Sequence, residues 1–183
     1  IYTRVSAGLL ETMYGGVSAE ALWKPVGSRL AFGAEVNWVK QRDYDQRFSF
    51  LDYDTVTGHI STYYEHNSGY SARLDVGRYL AGDVGATLEL AREFAHGWRF
   101  GVFATKTNLS SDEFGDGSFD KGITLTIPME TLLGSPTTKT VHSELRPFSS
   151  DGGAKVNVQG RLYEKVREGQ EPALNDEWGR FWR

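Results

Sequence analysis

The residues with the clearest chemical potential are histidines close to a hydroxyl and a carboxylate. His142 is followed by Ser143 and Glu144, the three residue types of a serine-nucleophile site. Neighbouring residues of a strand point to opposite faces, so His142 and Ser143 cannot form a dyad directly. His59 also lies in a strand-like stretch, and the chain contains no Gly-x-Ser-x-Gly motif. The sequence therefore predicts that the protein is not an enzyme.

A second candidate for chemistry is the acidic, glycine-rich stretch at residues 112–120. Acids that alternate with glycines could bind Ca²⁺, but the spacing and the missing closing glutamate do not fit an EF-hand. The pattern favours a solvated loop that its glycines allow to turn sharply. The chain has no cysteine, so it can form neither a disulfide nor a thiolate metal site. We expect no metal and no cofactor.

A third candidate is a charged, tyrosine-rich region between two strand-like stretches. Tyrosine with aspartate and arginine is a mixture that often contacts carbohydrate, because sugar faces stack on rings and hydroxyls need charged partners. The same mixture also allows an outer loop to fold back over its own domain, and both interpretations stay open. The candidate glycan-contacting residues are Arg42, Asp43, Tyr44, Asp45, Asp52 and Tyr53.

The composition limits which elements could position these residues. The net charge of −4 gives no sign of nucleic-acid binding. The mean hydropathy is −0.43, and no run approaches the roughly 18 apolar residues of a membrane helix. A barrel strand shows lipid only every second residue, however, and the 21 glycines and 13% aromatic residues fit such a barrel. No signal peptide precedes Ile1, so we expect a mature chain or a piece of a longer one.

The dominant period of the sequence is two, which is the signature of β-strands. Leu30, Phe32, Val36 and Trp38, for example, alternate with small or polar residues such as Glu35. The alternation predicts strands at residues 2–12, 15–25, 29–40, 56–65, 70–80, 84–93, 98–107, 121–129, 138–147 and 154–164.

Three features favour a membrane barrel over a soluble β-sandwich. The predicted strands run for about 9–11 residues, the length that spans a membrane. Short and long connections broadly alternate, as in outer-membrane barrels. Aromatic residues flank the short turns: Trp23, Tyr64, Tyr70, Phe94 and Trp98. The predicted fold is an all-β, antiparallel transmembrane β-barrel of about ten strands in the bacterial outer membrane, with both termini on the periplasmic side.

The last residues break the alternation. We assign residues 1–164 to the barrel and residues 165–183 to a periplasmic amphipathic tail. Leu174, Trp178, Phe181 and Trp182 follow a roughly helical spacing, which predicts a short amphipathic helix beneath the barrel. A disordered tail is the alternative.

Charged side chains on the opposite face of the predicted strands would point into the barrel. Isolated charges in so narrow a lumen would be costly to desolvate, so they must pair or meet water. A paired, hydrogen-bonded plug is favoured over a polar conduit that binds sugar hydroxyls, because small barrels fill their interiors with side chains. The predicted lumen network comprises Glu20, Glu35, Arg73, Asp75, Glu89, Arg99, His142, Glu144, Arg146 and Arg161.

Several longer stretches, in order along the chain, resemble the C-terminal part of one family. They are QRDYDQRF at 41–48, DYDTVTGH at 52–59, GRYLAGDVGAT at 77–87, FGDGSFDKGI at 114–123, RPF at 146–148 with DGG at 151–153, and NDEWG at 175–179. The family that they resemble is the YjbH/GfcD family. The resemblance implies an outer-membrane β-barrel encoded beside exopolysaccharide or capsule genes, within a much longer protein. It implies no catalytic residues.

These observations lead to three hypotheses about function. The first is an outer-membrane component of exopolysaccharide or capsule secretion or assembly, acting as a conduit or a docking barrel. The second is a structural barrel whose tail recruits a periplasmic partner, and the third is a barrel enzyme that modifies glycan or lipid. The expected partners are outer-membrane lipid, polysaccharide, and other secretion proteins or the rest of a longer chain, without nucleic acid.

Overall fold

Nine antiparallel strands form one sheet in which every strand pairs with the next along the chain. The computed structural model describes residues 1–45, 47–94, 97–109, 120–129, 134, 140–145 and 152–170. The strands are β1 (Tyr2–Leu9), β2 (Tyr14–Trp23), β3 (Leu30–Arg42), β4 (Phe50–Glu65), β5 (Tyr70–Arg78), β6 (Val84–Glu93), β7 (Arg99–Thr107), β8 (Asp120–Pro128) and β9 (Thr140–Leu145), and one helix follows, α1 (Leu162–Glu168). The prediction of an all-β, antiparallel fold is confirmed.

The two faces of the sheet have opposite characters. On the outer face, Phe32, Val36 and Trp38 of β3 are 42%, 53% and 50% exposed. On the inner face of the same strand, Glu35 and Asn37 are only 9% and 1% exposed. A soluble sheet normally buries its apolar face and exposes its polar face, so the burial pattern of this sheet is inverted.

The connections lie at two ends of the sheet, which we call rims. The short-turn rim carries the β2–β3, β4–β5 and β6–β7 connections, and the long-loop rim carries the β1–β2, β3–β4, β5–β6 and β7–β8 connections. The aromatic residues predicted to flank the short turns are all at least 37% exposed at the short-turn rim: Trp23, Tyr64, Tyr70, Phe94 and Trp98. Within the described residues, no helix has the length and apolar character needed to cross a bilayer.

The prediction of a tenth strand at residues 154–164 is wrong. Residues 152–161, here called the crossing segment, run without strand pairing, and α1 begins at Leu162. Val156 and Val158 are 1% and 4% exposed and pack with Leu10, Val39 and Leu80 on the inner face. The period of two in this segment therefore reflects an extended chain lying across the sheet and not a strand within it.

Two other predictions need correction or lie outside the described residues. Strands β3 and β4 extend to Arg42 and from Phe50, so Asp52 and Tyr53 belong to a strand and the loop between them is short. The acidic stretch before Asp120 and the apolar tail residues from 171 onwards lie outside the described residues.

Close backbone contacts on the inner face explain one of the glycines. A Cβ atom on Gly77 of β5 would lie 2.0 Å from the carbonyl oxygen of Gly58 and 2.7 Å from the Cα of His59 on β4. No real side chain tolerates such a distance to backbone, so only glycine allows β4 and β5 to approach as they do.

Replacing Gly77 by alanine should lower the free energy of unfolding by about 1–3 kcal/mol, because the added methyl group overpacks the strand pair. A urea titration followed by tryptophan fluorescence measures the change. Gly169→Ala is the matched control, since its Cβ would lie no closer than 3.8 Å to its nearest neighbour. Equal unfolding midpoints for the two variants would contradict the close approach.

Candidate functional site

The candidate site is the inner face of the sheet together with the crossing segment that lies on it. The structure places six of the predicted network residues on this face: Glu20, Glu35, Arg73, Asp75, Glu89 and Arg99. Arg161 joins them from the crossing segment, where its guanidinium forms an ion pair with Glu35. Seven of the ten predicted residues therefore contact one another, the crossing segment or α1 on the inner face.

Glu35 is the centre of the charge network. His59 Nδ1 lies 3.2 Å from one of its carboxylate oxygens, and Lys155 Nζ lies 3.7 Å from the same oxygen. Arg161 binds the other oxygen. Two cations of the crossing segment therefore converge on one carboxylate of β3 that is almost fully buried.

Asp75 on β5 is the second anchor of the crossing segment. Its carboxylate accepts hydrogen bonds from Lys155 Nζ at 2.8 Å and from Ser61 Oγ at 2.6 Å. Arg73 Nε lies 3.3 Å from Asp75, and the same guanidinium reaches Glu89 on β6 at 2.8 Å. The network thus runs without a break from β3 to β6, with Lys155 bridging Glu35 and Asp75.

Backbone hydrogen bonds fix the path of the crossing segment at the long-loop rim. The N–H of Gly153 donates to Asp83 Oδ2 at 2.9 Å, and the N–H of Leu80 donates to the carbonyl of Ala154 at 2.9 Å. The N–H of Asn157 donates to Glu11 Oε2 at 2.7 Å. These bonds satisfy backbone groups that a strand would satisfy by pairing.

Helix α1 lies at the short-turn rim. Its first N–H, that of Leu162, donates to the carboxylate of Glu20 at 3.1 and 3.2 Å. The ring of Tyr163 stacks on Tyr63 with a centroid distance of 3.8 Å. Arg167 binds both Glu65 of β4, at 2.5 Å, and Glu93 of β6. The helix is therefore held by capping, stacking and ion pairs together.

The contacts also show that the sheet is curled. The crossing segment and α1 reach side chains on all strands from β1 to β7, from Arg4 to Arg99. Seven flat strands would spread over about 29 Å at their usual spacing. The carbonyl of Gly160 binds Arg4 of β1, and Glu164, only four residues further on, binds Arg99 of β7, so the sheet curves around the segment. Among the described residues, no pairing joins β1 to β9.

Three predicted network residues are not part of this centre. His142 lies on the inner face of β9, exposed, and its Nδ1 is 2.9 Å from Thr126 Oγ1. Glu144 is exposed on the same strand, and Arg146 lies outside the described residues. Ser143 pairs with Leu125 and so faces away from His142, as the strand alternation requires.

The candidate glycan-contacting residues divide into structural and exposed ones. Arg42 is buried and donates to the carbonyls of Thr12 and Arg47 at 2.6 and 2.8 Å. Tyr53 donates its hydroxyl to the carbonyl of Leu80 at 2.5 Å. Both therefore fasten neighbouring connections of the long-loop rim to one another.

The other four candidate glycan-contacting residues are less buried than Arg42. Asp43 and Asp45 accept hydrogen bonds from backbone N–H groups within the loop, at 2.6 and 2.9 Å. Tyr44 is 76% exposed, and Asp52 is exposed on β4. Of the six predicted residues, Tyr44 and Asp52 are the ones most available to a ligand.

Sequence reasoning missed several residues of the site. Glu65, Glu93 and Arg167 lie next to turns or in the tail, where charges are usually solvated. The signal for Asp83 was present, because it and Gly153 both belong to the stretches that carry the family resemblance, and the structure joins them. In the described part of the chain, no group of three or more histidine or acidic residues could hold a metal.

The domain is therefore an antiparallel meander whose outer face is apolar and whose inner face curls around the charged crossing segment. The YjbH family model, described as exopolysaccharide biosynthesis protein YbjH, matches residues 1–168. The uncharacterized lipoprotein YjbH of Escherichia coli K12 is 39% identical over 172 residues, which are 91% of this chain and 25% of that protein. The chain therefore belongs to the YjbH family, and it spans about a quarter of that relative's length. No solved structure matches it.

Proposed function

We propose that this chain forms the membrane-embedded part of an outer-membrane β-barrel that serves exopolysaccharide secretion or assembly. The observation that carries the proposal is the inverted burial of the sheet. Apolar side chains cover the outer face while ion pairs and hydroxyl groups fill the inner face. Lipid satisfies such an outer face, whereas water would leave it as a very large exposed apolar patch.

Membership of an exopolysaccharide biosynthesis family supports the biological assignment. The description of the Escherichia coli relative as a lipoprotein supports a location in the cell envelope. The crossing segment favours a docking barrel over an open conduit, because it occupies the inner face from the long-loop rim to the short-turn rim. Polysaccharide or a partner protein would then contact the rims and not a free lumen.

Lipid-selective quenching of tryptophan fluorescence tests the membrane part of the proposal. A variant that keeps only Trp38, on the outer face, is expected to be quenched strongly by phosphatidylcholine brominated in its acyl chains. The matched control places a single tryptophan at Phe103, which is 8% exposed on the inner face. The control should be quenched much less. Equal quenching of both, or failure to insert into vesicles, would contradict the proposal.

The polysaccharide part needs a cellular measurement. In the bacterium that encodes the chain, deleting the codons for residues 1–170 should lower the amount of secreted polysaccharide without changing transcription of the neighbouring genes. Unchanged secretion would show that the chain has no role in polysaccharide secretion, and the membrane part of the proposal would stand.

A second candidate function, recruitment of a periplasmic partner, is favoured by an open cleft at the short-turn rim. Tyr2, Val26, Val166 and Gln170 line it, between α1 and the β2–β3 turn. Val26 is 86% exposed, so its side chain is accessible to a partner. A photoreactive residue at position 26 would crosslink a periplasmic protein in cells if this surface recruits one. The absence of any crosslink would reject it.

A further inference from the structure

We propose that a belt of cations on the outer face of the sheet, at its long-loop rim, binds the phosphate groups of lipopolysaccharide, the phosphorylated glycolipid of the outer leaflet. The basic belt consists of Lys40 on β3, Arg78 on β5 and Lys106 on β7. The inference rests on the proposed function, since it requires the outer face to meet lipid.

The strand registers place the three cations on the lipid-facing side. Lys40 lies two residues after Trp38 on β3, and Arg78 lies two residues after Val76 on β5. Lys106 of β7 pairs with Ala86, which lies two residues before Leu88 on β6. Trp38, Val76 and Leu88 are 50%, 48% and 46% exposed on the outer face. Because residues at a spacing of two share a face, the cations continue the apolar rows toward the long-loop rim. Lys121, opposite Ala104, extends the belt to β8 and has a further contact of its own.

The belt lies at one edge of the apolar band only. On β5, eight residue steps separate Tyr70 at the short-turn rim from Arg78, or about 26 Å along the strand. With a tilt of about 40°, usual for barrel strands, that is about 20 Å along the membrane normal, somewhat less than the ~25 Å height of a lipid-facing band. Arg78 therefore stands at the level where the polar head groups begin.

The cations at the two edges of the apolar band have different surroundings. At the short-turn rim, the guanidinium of Arg92 is 5.0 Å from the ring centroid of Tyr70 and 5.1 Å from that of Phe94. At the long-loop rim, no carboxylate of the described residues forms an ion pair with Lys40, Arg78 or Lys106. Among the described residues, Lys40, Arg78 and Lys106 thus present charge that neither a carboxylate nor an aromatic ring covers.

Acidic residues at the same edge determine which cations of the belt attract an anion most strongly. Asp54 pairs in register with Lys40 and accepts a hydrogen bond from Trp38 Nε1 at 3.4 Å, and Asp52 is exposed on the same strand. These acids weaken the attraction of Lys40 for an anion. Arg78 pairs with Gly58, four residues or about 13 Å along β4 from Asp54, and Lys106 lies on β7, beyond β5 and β6, so these two cations are the stronger part of the belt.

The chemistry of the surface fits an amphiphile better than a soluble polyanion. A molecule that reaches Arg78 from the membrane side also covers Val76 and Leu74, which are 48% and 43% exposed. Arg78 and Lys106 lie two strands apart, about 10 Å laterally, so a head group with two phosphates can contact both. Acyl chains and phosphate in one molecule satisfy both kinds of surface, as juxtamembrane cations do with anionic lipid.

Thermal unfolding in vesicles tests the belt. The wild-type protein and an Arg78→Gln/Lys106→Gln variant are refolded in phosphatidylcholine vesicles with and without lipopolysaccharide. Lipopolysaccharide should raise the unfolding midpoint of the wild type by about 4–8 °C. The double variant should lose most of that increase while matching the wild type in phosphatidylcholine alone. Lys165→Gln, an exposed cation of α1, is the matched control and should keep the increase.

Four results would overturn the proposal, and they are distinguishable. An equal increase for the wild type and the double variant, or no increase for a wild type that has inserted, rejects the belt and leaves the proposed function standing. The same increase from soluble polygalacturonate would show recognition of acidic glycans and not of a lipid. A wild type that inserts into neither vesicle rejects the proposed function and the belt together.

Discussion

Replacing Glu35 by glutamine is expected to lower the free energy of unfolding by about 3–5 kcal/mol, the usual effect of removing one partner from a buried charge cluster. The substitution keeps the size of the side chain but leaves Lys155 and Arg161 facing a neutral amide. Both cations have side chains less than one-fifth exposed, at 17% and 18%. Water can therefore compensate for only a small part of the loss. Urea unfolding of the inserted protein, followed by tryptophan fluorescence, measures the effect.

A double-mutant cycle separates the ion pair from a general packing defect. The variant Glu35→Gln/Arg161→Gln should be less unstable than the sum of its two single changes, because contacting charges couple. Asp52→Asn, which removes an exposed carboxylate of the neighbouring strand, should leave stability nearly unchanged. Additive losses in the cycle would show that Glu35 does not hold the crossing segment through Arg161.

Reversing both cations of the crossing segment, as Lys155→Glu/Arg161→Glu, is expected to release the segment from the inner face and open a channel. Each new carboxylate would meet Glu35 or Asp75 at a distance where like charges repel by roughly 4 kcal/mol at an effective dielectric constant of 20. In a planar lipid bilayer, the wild type should stay closed and the variant should show steady conductance steps. The released segment should also become sensitive to protease.

The control for this prediction is Lys165→Glu, which reverses an exposed cation four residues beyond Arg161. It should remain closed and protected. If the wild type already conducts as well as the double variant, the crossing segment does not close the lumen, and an open conduit becomes the better description of the barrel.

Most of the sheet could be predicted from the sequence because an apolar outer face and a packed polar inner face impose a strict alternation. Trp38 and Glu35 were assigned to opposite faces from their spacing alone, and the structure places them so. Strand β6, Val84–Glu93, has the predicted bounds. The charges of Glu35, Asp75 and Arg161 were grouped because an isolated charge in a narrow lumen is too costly, a reason that does not depend on their partners.

The crossing segment could not be predicted, because its pattern is locally identical to that of a strand. Val156 and Val158 alternate with Lys155 and Asn157 in either arrangement. A strand and the crossing segment differ in the hydrogen-bond partners of their backbone N–H groups. The N–H of Asn157 binds the side chain of Glu11, which is distant in the sequence. No local propensity encodes such a partner.

The ends of β3 and β4 were misplaced for a different reason. The region from Arg42 to Tyr53 is charged and was therefore assigned to a loop. The structure extends β3 to Arg42 and begins β4 at Phe50, and Arg42 and Tyr53 use their polar atoms to bind backbone carbonyls of other connections. Polar composition there reflects hydrogen bonding at the rim and not the absence of a strand.

The contacts of the crossing segment also constrain the order in which the molecule can assemble. Arg4, in the first strand, donates to the carbonyl of Gln159 at 2.7 Å across a sequence separation of 155 residues. Contacts of such long range form late and slow folding, because a large loop must close before they contribute. The first hairpin therefore stays incompletely packed during folding until residues 152–161 lie on the inner face. Until then, Glu35 and Asp75 lack the counter-charges that Lys155 and Arg161 supply.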